Sequence, residues 1–251
     1  VCSGGGIHGA AQAGMLAELF TAGFSCSAVV GVSAGACNAL EIAADPSASA
    51  AERLCDVWES VDTSGVLPGS RRAQMMNLIA NRSGDARQES LKTILRSAVS
   101  VERLEGTTIP VHIGAVDVST GETLWFSSGP ALELLCASAA LPGVFPPVAY
   151  SGRILYDGGV TDSLPLRRAV ETGARGIVAL DVTKLAASHE VSSHFKTLMR
   201  SLEHTREALR RAHVDSVPPH IPLALVRAGH APRALGLTEE VAAGRALMRE
   251  W

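Results

Sequence analysis

No window of about 18 apolar residues occurs in this chain, so a membrane-crossing helix is not expected. Runs of lysine and arginine are missing too, and the formal net charge is −3. Nucleic acid therefore finds no electrostatic footprint, and a strongly anionic membrane little global attraction. The eight histidines never take an H-x-x-x-H or H-E-x-x-H spacing, which argues against a metal site. The five cysteines, Cys2, Cys26, Cys37, Cys55 and Cys136, are odd in number and contain no C-x-x-C pair. They read as small buried residues of a reducing compartment, which makes cytoplasmic residence the expectation. Internal repeats and low-complexity linkers are absent as well. The chain opens on Val1 and not on Met, which leaves room for an upstream targeting segment.

What is present is a chain of 251 residues, 47% hydrophobic and 19% charged, enough for one large packed core. Short apolar runs alternate with helical patterns. That alternation predicts a three-layer α/β/α fold with a mainly parallel central sheet, the strands buried on both faces. Val1 to Ser3 reads as the end of a first strand. Strands are then expected at Ala28–Gly31, Val111–Val116, Thr123–Phe126, Ile154–Tyr156, Gly176–Val182 and Pro222–Val226. Helices are expected over Ala10–Ala22, with Met15, Leu16, Leu19 and Phe20 on one face, and over Ala34–Ala44, stopping before Pro46. Another should follow Pro130. Phe195, Leu198, Met199, Leu202 and Leu209 mark a later helix face, and a final helix over Thr238–Arg249 has Thr238 as its cap. Residues 1–251 form one domain on this reading. Its region of about 47–101 is helical and distinct in character, with Met75, Met76 and Ile79, then Leu91, Ile94, Leu95 and Ala98 behind Asp85 as an N-cap. Such a region could be ordinary core or a cap over a pocket.

Three motifs carry chemistry. Gly31-Val32-Ser33-Ala34-Gly35 lies between a strand and a helix, the setting of a nucleophile elbow. The turn exposes the Ser33 hydroxyl, and Gly31 and Gly35 let strand and helix approach closely. Gly4-Gly5-Gly6-Ile7-His8-Gly9 follows a strand and precedes a helix, and its amides suit a phosphate or an oxyanion. A dinucleotide site built on Gly4, Gly6 and Gly9 would want an acidic residue closing the second strand, where Ser33 stands instead. Asp157-Gly158-Gly159 follows a strand. Alone it reads as a simple turn, but with the other two motifs it offers an aspartate free to project into a cleft.

In order and spacing the three motifs resemble the patatin-like phospholipase family. The segment Ala137-Ser138-Ala139-Ala140-Leu141-Pro142-Gly143-Val144-Phe145-Pro146-Pro147 and the run Asp157-Gly158-Gly159-Val160-Thr161-Asp162-Ser163-Leu164-Pro165 extend the resemblance over about Val1 to Asp181. The resemblance implies Ser33 as nucleophile, Asp157 as its sole catalytic partner, and Gly4, Gly5 and Gly6 as the oxyanion hole. Gly9, Gly31, Gly35, Gly158 and Gly159 support these motifs. Two departures stand out: His8 where many members carry Lys or Arg, and Asp162 where Asn is common.

The expected activity is hydrolysis of fatty-acyl esters of lipids, with no metal and no organic cofactor, a lipid or acyl-ester substrate, and room for transient contact with a membrane surface. An acyltransferase using the same dyad, and a catalytically silent lipid-binding domain, are the alternatives. An α/β-hydrolase triad of Ser33, Asp181 and His220 or His230 would normally place several strands before the nucleophile, and here only one strand and one helix precede it. Trp58 and Trp125 read as packing, His189 and His194 as a solvated helix start, and Asp117 as a turn residue.

Overall fold

The computed structural model describes residues 1–61, 84–96, 99–183, 194–228 and 236–251. Its elements run α1 (Gly9–Thr21), β1 (Val29–Val32), α2 (Ala34–Ala44), α3 (Ala48–Ser60), α4 (Gly84–Arg96), β2 (Val111–Asp117), β3 (Thr123–Phe126), α5 (Ala131–Ser138), β4 (Val148–Tyr150), β5 (Arg153–Asp157), α6 (Leu166–Glu171), β6 (Ile177–Asp181), α7 (His194–Asp215), β7 (Leu223–Arg227) and α8 (Leu237–Glu250).

The first three residues sit in the middle of the sheet. Cys2 bridges Gly31 on one side and Leu180 on the other, both in parallel. Its amide donates to Val30 O at 2.8 Å, and the Ser3 amide donates to Leu180 O at 3.1 Å. They thereby join the parallel pair β6–β7 to the parallel pair β1–β2. Strands in this part alternate between two cores. Val29, Cys2, Leu180 and Val226 face one, with α1, α2 and α3; Val30, Ala179 and Ile177 face the other, with Leu164, Leu166 and Ala169. A sheet with a hydrophobic core on each face is a three-layer α/β/α arrangement. Burial on both faces is why these strands read as unbroken apolar runs.

Beyond β2 the sheet becomes mixed. β3 and β5 both run antiparallel to β2, and β4 runs antiparallel to β5. The last of these pairings has a local reason: β4 and β5 are joined by Ser151-Gly152, both at positive φ, and a two-residue turn of that kind closes only an antiparallel hairpin. Neither β4 nor α6 belongs to the elements expected from pattern, both being too short for periodicity to register.

Other expected boundaries need adjustment. α8 begins at Leu237 after Gly236, so Thr238 lies inside its first turn and is not its cap. Asp85 likewise falls within α4, which starts at Gly84. Leu209 is 37% exposed and does not belong to the packed face of α7. Met75, Met76, Ile79, Ala98, His189 and His230 lie outside the described residues, as do the side chains of Asp85, His194, Phe195, Leu198, Met199 and Leu202.

Helix α1 is buried nearly all round and crosses α8 at van der Waals contact of backbones. A Cβ on Gly14 would stand 2.1 Å from Val241 O, and one on Gly244 1.8 Å from Ala11 O. Gly244→Ala must push the two helices apart. It should cost about 1–3 kcal/mol, the usual penalty of overpacking. In urea the unfolding midpoint should drop with the m value unchanged; an unmoved midpoint would mean that the crossing has slack.

Candidate active site

The register of β2 brings the site together. Its one edge is taken by β3. The other edge is shared: β1 pairs with Val111 to Gly114 in parallel, and β5 pairs with Ala115 to Asp117 in antiparallel. The two strands therefore meet with their carboxyl ends facing. Val32 lies opposite Gly114 and Asp157 opposite Ala115, so Ser33, one residue past β1, arrives beside Asp157. Ser33 Oγ donates to Asp157 Oδ2 at 2.7 Å across 124 residues of sequence.

Ser33 has φ 55°, ψ −129°, one of two non-glycine residues with positive φ among those described. Such a conformation costs of order 1–3 kcal/mol and persists only where the surroundings enforce it. Hydrogen bonds and close backbone packing enforce it here. The Ser33 amide donates to Ser138 Oγ at 2.9 Å, and that hydroxyl donates to Gly114 O at 2.7 Å. A Cβ on Gly31 would lie 2.3 Å from Gly35 O, and one on Gly35 2.4 Å from both Cys2 O and Ser3 O. Helix α2 thus lies directly on β1 and on the first residues of the chain, its amino end at Ser33. Ser138 belongs to a segment that drew notice in the sequence, but nothing local reveals its role, because both its partners are distant in the chain.

Asp157 is 3% exposed. Burial without a neighbouring positive ion pair raises its pKa, the largest influence on it; the hydrogen bonds from Ser33 and from the Gly159 amide, and the charge of Arg206, act in the opposite direction without overcoming it. Gly159 N donates to Asp157 Oδ1 at 2.7 Å and fixes the carboxylate's other oxygen. Gly158 passes so close that a Cβ there would meet Gly114 O at 2.3 Å.

The glycine loop divides its labour. The Gly4 amide donates to Ser163 O at 3.0 Å and is spent on holding the loop. Gly5 and Gly6 lead into a 3-10 turn, Gly6–His8, and among the described residues no acceptor takes their amides. Gly9 packs under the Trp58 ring. Trp58 Nε1 donates to Asn38 Oδ1 at 2.7 Å, Asn38 Nδ2 donates to Gly9 O and to Gln12 Oε1, and Gln12 Nε2 donates to Leu180 O at 2.9 Å. This buried chain of side chains ties α1, α2 and α3 to the strands beneath the loop. His8 Nδ1 is 3.0 Å from Oε1 of Glu240, which is buried, so His8 is bound to α8. Asp162 Oδ1 is 2.9 Å from His213 Nδ1.

Ser33 and Asp157 open into a cavity of about 680 Å³, large enough for an acyl chain. Trp58 and Val61, Leu91 and Ile94 from α4, and Phe145 line one part; Arg206 and Arg210 from α7 line another. Of the region about 47–101, the described residues Trp58, Val61, Leu91 and Ile94 thus stand at the cavity wall. A second cavity, about 530 Å³, lies at the opposite ends of the strands around Phe24 and Arg175, remote from Ser33.

The remaining candidates are occupied elsewhere. The Asp181 carboxylate accepts from the Thr183 amide and lies 3.6 Å from Arg210, while His220 is exposed before β7; neither meets Ser33, so a triad through them does not form. Asp117 accepts from the Ser119 amide and from Arg153 in the β2–β3 turn. Trp125 packs against Gly114, with Arg168 over its ring. Cys2, Cys37, Cys55 and Cys136 are buried and unpaired, and burial pushes the Cys37 thiol up to about 12. Among the described residues no three His, Cys, Asp or Glu side chains gather as metal ligands.

The family model for patatin-like phospholipase matches residues 1–170. An uncharacterized NTE family protein of Mycobacterium tuberculosis is 28% identical over 162 residues, covering 64% of this chain and 42% of that protein. Human patatin-like phospholipase domain-containing protein 6 is 26% identical over 184 residues, covering 72% of this chain and 13% of the human one. The chain therefore spans less than half of these relatives. Among solved structures, VipD from Legionella pneumophila superposes with a TM-score of 0.51 at 16% identity, covering 99% of this chain and 65% of that one, a likeness of fold.

Because the Asp157 pKa is raised in the folded state, the protein holds that proton more tightly when folded. Stability is then lost as pH rises from the ordinary aspartate range through the raised value. Asp157→Asn removes the buried charge. It should raise the melting temperature at pH 7, and the gain should vanish below about pH 4, where the carboxyl is neutral in both states. Melting curves across that range test this; an asparagine variant no more stable at pH 7 would contradict it.

Proposed function

Since the chain belongs to the patatin-like phospholipase family, we propose that it is a serine acyl hydrolase that cleaves fatty-acyl esters of lipids through Ser33 and Asp157. The observation that carries this reading is the 2.7 Å hydrogen bond from Ser33 Oγ to a buried Asp157, at a strained turn that opens into a largely apolar cavity. Residues 1–251 act as one unit in this proposal, with the region of 47–101 shaping the acyl pocket.

The chemistry follows from the atoms. Serine is a weak nucleophile until a base takes its proton. Asp157 Oδ2 accepts that proton as Ser33 Oγ bonds to the ester carbonyl carbon. Burial makes Asp157 a better base than a solvated aspartate. The carbonyl oxygen becomes an oxyanion, held by the amides of Gly5 and Gly6; Gly4 contributes by anchoring the loop. Collapse breaks the bond to the alkoxy group, which leaves with the proton from Asp157. Water then gives a proton to Asp157 and attacks the acyl-serine, and Ser33 Oγ recovers that proton as the fatty acid departs. The same acyl-enzyme would serve a transferase if an alcohol replaced water. Residence in the cytoplasm and brief contact with a lipid surface fit this activity and remain part of the proposal.

Hydrolysis of p-nitrophenyl esters of graded chain length tests the reading. Ser33→Ala and Asp157→Asn should each lower turnover by roughly 10³-fold or more while remaining folded, as loss of a nucleophile or its base does elsewhere. His220→Ala should keep wild-type turnover. An organophosphonate should label the wild type and not Ser33→Ala. Labelling without hydrolysis, relieved by an added alcohol acceptor, would replace the hydrolase with a transferase. No labelling would leave a lipid-binding domain.

A further inference from the structure

The cavity at Ser33 has two chemically different walls. Trp58, Val61, Leu91 and Ile94 make one of them apolar. The other is the face of α7 that carries Glu203, Arg206, Glu207 and Arg210, positions i, i+3, i+4 and i+7 of one helix face. Three of these four charges are matched. Glu203 lies 3.4 Å from Arg200. Glu207 binds Arg210 at 2.7 Å, Arg211 at 2.9 Å and Arg227 at 3.0 Å. Arg210 also approaches Asp181 at 3.6 Å.

Arg206 is the exception. It is half-buried and lines the cavity, and among the described residues no carboxylate pairs with it. Its charge nevertheless reaches Asp157, whose proton affinity it lowers. His8, the basic residue of the glycine loop, is bound to Glu240. A half-buried cation without a counter-ion is costly unless a ligand supplies the anion. A guanidinium suits a phosphate best, because its planar fork matches two phosphate oxygens at once.

Building on the hydrolase reading, we propose that Arg206 determines substrate class by binding the phosphodiester of a glycerophospholipid whose acyl chain lies against the apolar wall and whose ester carbonyl sits at Ser33. Distance from the ester to the phosphate is fixed by the glycerol backbone. A cation lining the same cavity as Ser33 therefore selects a phospholipid over a neutral glyceride. Arg206 lies beyond residues 1–170, the part that the family model matches, so this selection belongs to the chain's own later segment.

The test uses ligands that cannot be hydrolysed, so that it does not depend on turnover. An ether-linked lysophosphatidylcholine and the matching alkylglycerol, each below its micelle concentration, are titrated against the whole chain by tryptophan fluorescence, since Trp58 lines the cavity. The quantity read is the ratio of the two affinities. Arg206→Gln should reduce the preference for the phospholipid by roughly ten- to a hundred-fold, the worth of a charge-assisted hydrogen bond. Arg206→Lys, which keeps the charge and loses the fork, should restore part of it. A merely structural arginine would shift both ligands alike and leave the ratio unchanged, which would overturn the proposal. Inorganic phosphate is the third ligand. If it binds as tightly as the lipid in an Arg206-dependent way, the site serves free phosphate and the headgroup assignment falls. Ester hydrolysis with an unchanged ratio would remove Arg206 alone, and a changed ratio without hydrolysis would leave Arg206 standing and remove the hydrolase.

Discussion

Along one edge of β2, β1 and β5 arrive from opposite directions and stop at neighbouring residues, Gly114 and Ala115. Everything at the site depends on that meeting. Because the parallel strand takes the first half of that edge and the antiparallel strand the second, they face each other with their carboxyl ends, and the loops leaving those ends start side by side. One such loop starts with Ser33 and the other with Asp157-Gly158. A slip of one residue in either register would turn the side chains to the opposite face of the sheet. The mixed character of the sheet is therefore the condition for the hydrogen bond between Ser33 and Asp157.

The surroundings hold two unfavourable features in place. One is the positive φ of Ser33, the other the buried carboxylate of Asp157. Both are stabilised by short polar contacts from neighbouring backbone and hydroxyl groups: Ser138 between Ser33 and Gly114, and the Gly159 amide on Asp157. Beneath the glycine loop, the chain from Trp58 through Asn38 to Gln12 satisfies polar groups that would otherwise be stranded in the core. Fully paired networks of this kind rigidify a core, and a rigid floor under the loop keeps its amides aimed at the serine.

Local chemistry was legible in the sequence, and long-range chemistry was not. The glycines flanking Ser33 and the Asp157-Gly158 turn declare themselves because strand, turn and helix follow within a few residues. The buried parallel strands do so because burial on both faces leaves unbroken apolar runs. Hairpin strand β4 has only three residues, too few for an alternating pattern, although Ser151-Gly152 is a turn signal. The role of Ser138 depends on Gly114 and Ser33, the use of the Gly4 amide on Ser163, and the place of Arg206 on the packing of α7 against the cavity. None of these pairings leaves a mark in neighbouring residues. His8 and Asp162, which looked like bare departures from a motif, each stand within 3.0 Å of a group on a distant helix, Glu240 and His213.

Those two contacts, with the bridge between Cys2 and Leu180, tie the beginning and middle of the chain to its last third. The family model ends at residue 170, yet the glycine loop leans on α8, the run after the DGG turn on α7, and the first residues of the chain on β6. The segment beyond the family model is thus also a scaffold for the most recognisable motifs. Drift in the last third of the chain can retune the site without altering a single signature residue.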